Sequence, residues 1–204
     1  MKVPFVVNLR FWLDLTSGQT SRREISHRNF CSSRREHAQT EDMLAVGFDD
    51  GSVRLVNEAT GETRLNFQAE VMEHGFLTLE ASPDGRTLAT AGSKTCLLWD
   101  LVSGVELLCV QDETGKGAPC AMAFSPCSQR LATGFYDGEV IIWNTITGNE
   151  ELRFLGHVVG NMNSHAEAMS FSMDGALLAS GGTPFAHEPP DYSYIARIFV
   201  WNSR

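Results

Sequence analysis

Leu88–Gly104 reads LATAGSKTCLLWDLVSG, and Leu131–Gly148 reads LATGFYDGEVIIWNTITG. The two stretches share a Leu-Ala-Thr start, an apolar run closing on tryptophan, and a glycine five residues after it. Working outward, Leu44–Gly61 reads LAVGFDDGSVRLVNEATG in the same frame. A fourth copy opens as LASGG at Leu178 and closes as IFVWN at Asn202, and the tail alone recurs as LDLTSG at Leu13–Gly18. The closing position falls at Leu13, Val56, Trp99, Trp143 and Trp201, at intervals of 43, 43, 44 and 58. The first three intervals agree to within one residue, and a stride of about 40–45 residues is that of a repeated β-unit. The last is longer because Thr183–Tyr194 is inserted before the final strand.

Each unit divides into short β-favouring runs bounded by turn residues. Ala121–Phe124, Arg130–Phe135 and Val140–Trp143 are the clearest of these runs. Asp-Gly stands at 50–51, 84–85, 137–138 and 174–175, where it suits the positive φ of tight hairpins. Counting from the glycine after the tryptophan position, apolar residues recur four and six places on. They are Leu65 and Phe67, Leu108 and Val110, Leu152 and Phe154. That alternation predicts an outer strand with one buried and one wet face. No window sustains a helical period, so the chain is expected to be all-β.

These residues resemble the WD-repeat family. The closing Trp-Asp is literal at Trp99-Asp100 and becomes Trp143-Asn144 and Trp201-Asn202. Gly-His survives at Gly156-His157, and Ser-Pro-Asp-Gly stands intact at Ser82–Gly85. The resemblance covers residues 43–204 well and residues 1–20 thinly. It implies a β-propeller of about four blades of four-stranded antiparallel sheets, in a ring that does not close.

The resemblance also implies a buried set of Trp, Ser/Thr, Asp and His tying each blade together. Matched by position, one unit has Trp99 and Thr90, with His74 as a candidate partner. Another has Trp143, Thr133 and Asp137, and the last has His157, Ser180 and Trp201. The Leu44 unit keeps Asp50 but has Val46 and Val56 for the hydroxyl and indole. No unit is complete, so apolar packing is expected to carry most of the stability.

The Val3–Asp14 piece copies a third strand rather than a fourth, and a shrunken first strand for the Leu44 unit is expected near Asn29–Cys31. Sheet edges are therefore expected at both ends. That pattern fits a fragment, a mispredicted gene product, or half of an assembly closed by another chain. The expected organisation is an N-terminal strand with a basic, poorly ordered segment over residues 1–42, then propeller blades over residues 43–204.

Charge narrows the partners. The chain carries −9 overall, but residues 1–35 hold +5 and residues 36–204 hold −14. An acidic body argues against nucleic acid, which demands a basic surface. No apolar run is long enough for a membrane helix; the five cysteines form no CxxC pair, three of them sit in apolar strand-like runs and read as buried reduced thiols, and the chain reads as intracellular, cytoplasmic or nuclear.

The six histidines show no ligand spacing, so no metal or other cofactor is expected. Gly115-Lys116 lacks the upstream glycine and the following hydroxyl of a phosphate loop. No nucleophile elbow is present, and no catalytic residue is nominated. The expectation is a non-catalytic scaffold binding other proteins, with self-association through open edges as a second route. Its candidate anchors are Phe185, His187, Tyr192 and Tyr194, on the insertion stiffened by Pro184, Pro189 and Pro190. The alternatives are the repeat portion of a larger enzyme, a catalytic propeller of another type, and a remnant that cannot close.

Overall fold

The computed structural model describes residues 7–14, 40–48, 50–57, 59–70, 78–92, 94–111, 119–155, 158–159, 162–163, 165–182 and 197–203. All regular structure among them is β. The first sheet holds β1 (Val7–Asp14), β2 (Thr40–Gly47), β3 (Ser52–Asn57) and β4 (Thr63–Gln68), paired in that order. The second holds β5 (Thr78–Ala81), β6 (Thr87–Ala91), β7 (Thr95–Asp100) and β8 (Glu106–Gln111). The third holds β9 (Pro119–Phe124), β10 (Arg130–Phe135), β11 (Glu139–Asn144) and β12 (Glu150–Leu155). A small antiparallel hairpin, β13 (Val158–Val159) and β14 (Met162–Asn163), follows the third sheet. The fourth sheet has β15 (Ala168–Phe171), β16 (Leu177–Gly182) and β17 (Arg197–Asn202), with no outer strand among the described residues.

Every pairing is an antiparallel meander between chain neighbours. The first strands β1, β5, β9 and β15 lie side by side, as the inner strands of successive blades do. The all-β partial propeller of about four blades is therefore the observed architecture.

One expectation is corrected. The N-terminal strand does not stand as a third-strand copy from a preceding unit. It pairs antiparallel with β2 from Val7↔Gly47 to Asp14↔Thr40 and takes the first-strand place of the first blade. The segment Asn29–Cys31, expected to fill that place, lies outside the described residues. The physical reason is that the Leu44 unit needs an inner strand and any β-favouring apolar run can supply one. The LDLTSG likeness recorded composition, whereas position was set by pairing.

Turn chemistry places the hairpins. Asn57, Asp100 and Asn144 follow the tryptophan position, and each Oδ1 accepts from the backbone N–H groups two and three residues on, at 2.6–3.0 Å. An acceptor oxygen is all this turn requires, so Asn serves where the family motif has Asp. At the other turn, Ser82 donates to Asp84 at 2.6 Å and accepts from the Thr87 N–H at 2.9 Å, and Ser172, Asp174 and Leu177 repeat the pattern. In the third blade Ser128, with φ 61°, stands where the others have Gly85 and Gly175. Its hydroxyl accepts from the Asp84 N–H of the neighbouring blade at 3.1 Å.

The core is three seams between sheets. Met43, Ala45, Val53, Leu55 and Phe67 of the first blade meet Leu79, Leu88, Leu97 and Trp99 of the second. Ala89, Cys96, Leu98 and Val110 of the second meet Met122, Phe124, Ile141 and Trp143 of the third. Ala132, Val140 and Ile142 of the third meet Ala166, Leu178, Phe171 and Trp201 of the fourth. Leu65, Phe67, Leu108, Val110 and Phe154 of the outer strands complete these seams, whereas Leu152, expected on the buried face, is exposed. Phe67 packs on Trp99 with ring centres 5.2 Å apart, and Phe154 packs on Trp201 at 4.2 Å. Leu65 reaches the glycine of the next blade's turn, Gly104, where an added Cβ would sit 3.1 Å from its Cδ2. Leu108 does the same at Gly148, at 2.9 Å.

Beyond the last seam no described residue forms a further sheet over the fourth. Val200 is 64% exposed, whereas its counterparts Leu98 and Ile142 are 1% exposed beneath a neighbouring sheet.

Candidate functional site

Three indole–hydroxyl pairs help to hold the blades together. Trp99 Nε1 donates to Thr90 Oγ1 at 2.9 Å, Trp143 Nε1 to Thr133 Oγ1 at 2.8 Å, and Trp201 Nε1 to Ser180 Oγ at 2.9 Å. In each case the hydroxyl sits on the second strand and the indole on the third. A buried indole N–H without an acceptor would cost about 1–3 kcal/mol.

Asp137 and Asp50 are placed differently. Asp137 Oδ1 accepts from the Glu139 N–H at 3.1 Å, within its hairpin turn. Asp50 is exposed and accepts from the Ser52 N–H at 2.9 Å and the Ser52 hydroxyl at 2.6 Å. Those bonds, the hydroxyl first, hold its carboxyl below the ordinary range. Neither aspartate contacts an indole–hydroxyl pair. His74, His157, Phe185, His187, Tyr192 and Tyr194 lie outside the described residues.

Surface chemistry concentrates at the rims. At one, Tyr136 and His165 meet edge to face with ring centres 4.5 Å apart, and His165 Nδ1 lies 3.4 Å from Glu167 Oε1. At the opposite ends of the strands, Ser125, Pro126, Cys127 and Arg130 of the third blade face Met173, Asp174 and Gly175 of the fourth across an open cavity of about 430 Å³. Sequence reading passed over Cys127. Its signal is the turn alignment, in which Cys127 takes the place held by Asp84 and Asp174.

The four described thiols differ in chemistry accordingly. The Ser125 hydroxyl, 3.4 Å from Cys127 Sγ, holds that thiol below its ordinary value, assisted by the Gln129 backbone and the Arg130 charge. Burial pushes Cys120 up to about 12 and raises Cys96 as well. Since the thiolate is the reactive form, a brief iodoacetamide pulse on the folded chain is expected to label Cys127 first among the four described thiols and to spare Cys96 and Cys120. Peptide mass spectrometry reads the order, and labelling of Cys96 in step with Cys127 would contradict it.

Among the described residues no group of three or more His, Cys, Asp and Glu side chains is arranged to hold a metal ion, and no helix is long and apolar enough to cross a membrane.

The comparisons with known proteins agree with this geometry. The sequence profile described as "WD domain, G-beta repeat" matches residues 67–100 and 108–144. Each match begins in an outer strand and ends at a Trp-Asp or Trp-Asn, so a sequence repeat straddles two structural blades. The chain is similar to "WD repeat-containing protein 82" of Drosophila melanogaster, 35% identical over 156 residues, covering 71% of this chain and 46% of that protein. It is also similar to "Guanine nucleotide-binding protein subunit beta" of Solanum tuberosum, 25% identical over 161 residues, covering 72% of this chain and 42% of that protein. "Periodic tryptophan protein 2 homolog" of Dictyostelium discoideum is 32% identical over 117 residues, covering 56% of this chain and 12% of that protein. The chain thus spans less than half the length of each of these relatives. With the repeat profile, the blade topology and the indole–hydroxyl pairs in agreement, the chain carries divergent WD repeats and is similar to proteins of the WD-repeat family.

Proposed function

We propose that this chain is a non-catalytic scaffold that binds other proteins through the loops and outer edges of its blades. One observation carries the reading. Three indole N–H groups inside the blades are committed to second-strand hydroxyls, which makes the blades a fixed frame that presents its rims and edges for recognition. Loops held by a rigid frame are where such frames meet partners. In this reading residues 43–204 are the repeat body, and residues 1–42 supply one strand and a basic segment. The insertion carrying Phe185, His187, Tyr192 and Tyr194 supplies aromatic anchors. The acidic body disfavours nucleic acid, and free thiols at Cys96, Cys109, Cys120 and Cys127 suit a reducing, intracellular setting.

The test is cross-linking of the full chain in native extract, with the cross-linked positions mapped. Partners joined at blade loops or outer strands are expected, and exchanging Phe185, Tyr192 and Tyr194 for serine is expected to lose those that use the insertion. A chain that joins no protein above the level of a heat-denatured control would overturn the reading. Retention of every partner by the triple variant would remove the insertion from it.

A further inference from the structure

The outer strands of the three complete blades differ in one respect. Each turns one face into a seam; the other face is defined by the residues three and five places after the turn glycine. In the first blade these are Arg64 and Asn66, both exposed and polar. In the third they are Glu151 and Arg153, tied into ion pairs with Arg130 at 3.0 Å and with Glu139 and Glu150 at 2.9 and 2.7 Å. In the second they are Leu107 and Cys109. Leu107 is 53% exposed and its neighbour Val105 is 59% exposed, with Cys109 also exposed.

Charged and polar side chains on an outer strand deter further pairing. The second blade lacks that protection on this face. Its strand β8 pairs with β7 on one side and is the edge of its sheet, so half of its backbone N–H and C=O groups face away from any partner strand among the described residues. Acidic groups border the apolar stripe. Glu106 begins β8, and Glu70 of the first blade, bonded to Thr95 at 3.0 Å, approaches its far end. Burial first, then the charges of Glu106 and Glu70, raise the Cys109 thiol.

We propose that β8 is a docking edge for an extended segment of another protein, apolar at alternate positions and flanked by basic residues, which adds to the second blade as a fifth strand. Backbone pairing supplies the affinity of such an addition, and side chains of one face supply its selectivity. The acidic border selects a basic segment and repels phosphate. It equally disfavours a second copy of this chain, since pairing two β8 edges would bring the glutamates of both together in a molecule already at −9. The inference rests on the scaffold reading and names one of its sites.

The probe is a short synthetic peptide in which valine alternates with threonine between terminal lysines, titrated against the full chain by calorimetry. Saturable binding is expected, with slowed amide exchange across residues 106–111. Leu107→Lys and Glu106→Lys, both at exposed positions, are each expected to weaken binding by about tenfold or more without lowering thermal stability. A glutamate-flanked peptide is expected to bind correspondingly less well. Absence of saturable binding, binding unchanged in both variants, or dimerisation of the chain through β8 would overturn the proposal. If cross-linking in extract still finds partners that Leu107→Lys retains, the edge falls and the scaffold reading stands; if no partner is found at all, the scaffold reading falls.

Discussion

Replacing Trp143 with alanine is expected to lower the unfolding free energy by about 3–5 kcal/mol, the range for truncating a buried large aromatic side chain. Trp143 is 5% exposed and sits in the seam between the second and third blades with Val110, Phe124 and Ile141. Its loss removes indole packing from both sheets at once, and the neighbours cannot close the void because each is fixed in its own ladder. The hydrogen bond to Thr133 is the smaller part. Thr133 Oγ1 also lies 3.5 Å from the Ile141 carbonyl, so the hydroxyl keeps a neighbour when the indole goes.

Thr133→Val separates the two contributions, because it keeps the shape and orphans the indole N–H, at a cost of about 1–3 kcal/mol. Urea denaturation followed by tryptophan fluorescence and circular dichroism reads both variants. A loss from Trp143→Ala no larger than that from Thr133→Val would mean that the polar pair, rather than the seam, holds the blades together.

Gly134→Val is expected to destabilise the protein by about 3 kcal/mol, toward the upper end of what overpacking costs. Local preference argues the other way. Gly134 lies inside β10, and a β-branched residue in a strand is worth up to about 1 kcal/mol over a poor strand former. The third seam decides the sign. A Cβ at this position would lie 2.7 Å from Ala166 Cβ and 2.8 Å from the Ala166 carbonyl oxygen. Ala166 cannot retreat, since its N–H donates to the Phe135 carbonyl at 3.2 Å and its own carbonyl accepts from the Cys120 thiol at 3.0 Å. Gly47 and Gly181 hold the matching place in the first and fourth blades, while Ala91 in the second shows that a single methyl group is accommodated at that seam. A Gly134→Val chain at least as stable as the parent in urea would show that the third and fourth blades do not approach as closely as described.

Much of the architecture is legible in the residues. The Trp99, Trp143 and Trp201 stride, the Asp-Gly hairpins and the alternation in Leu65–Phe67, Leu108–Val110 and Leu152–Phe154 are local signals, because strand period and turn φ are properties of short segments. The hydroxyls of Thr90, Thr133 and Ser180 are named as indole partners by the family resemblance, matched position by position, and not by local signals. The partner of β2 is given by neither. Val7–Asp14 and Asn29–Cys31 both precede the Leu44 unit, and loop closure penalises the longer connection only weakly. The docking edge is legible only in part: the alternation that buries Leu108 and Val110 puts Leu107 and Cys109 on the outer face of β8, and the structure adds that this face is exposed beside neighbouring acidic groups.

What the chain determined by itself was the repeat: how long each unit is, where it turns, and which residue closes it. Those follow from backbone preference and side-chain alternation within a few residues. What only the tertiary structure decided was which faces meet. It set Phe67 against Trp99, Leu108 into the turn at Gly148, Ala166 hard against Gly134, and among the described residues it left β8 without an outer partner strand. Burial depends on residues from two sheets at once, and no single segment of sequence contains both.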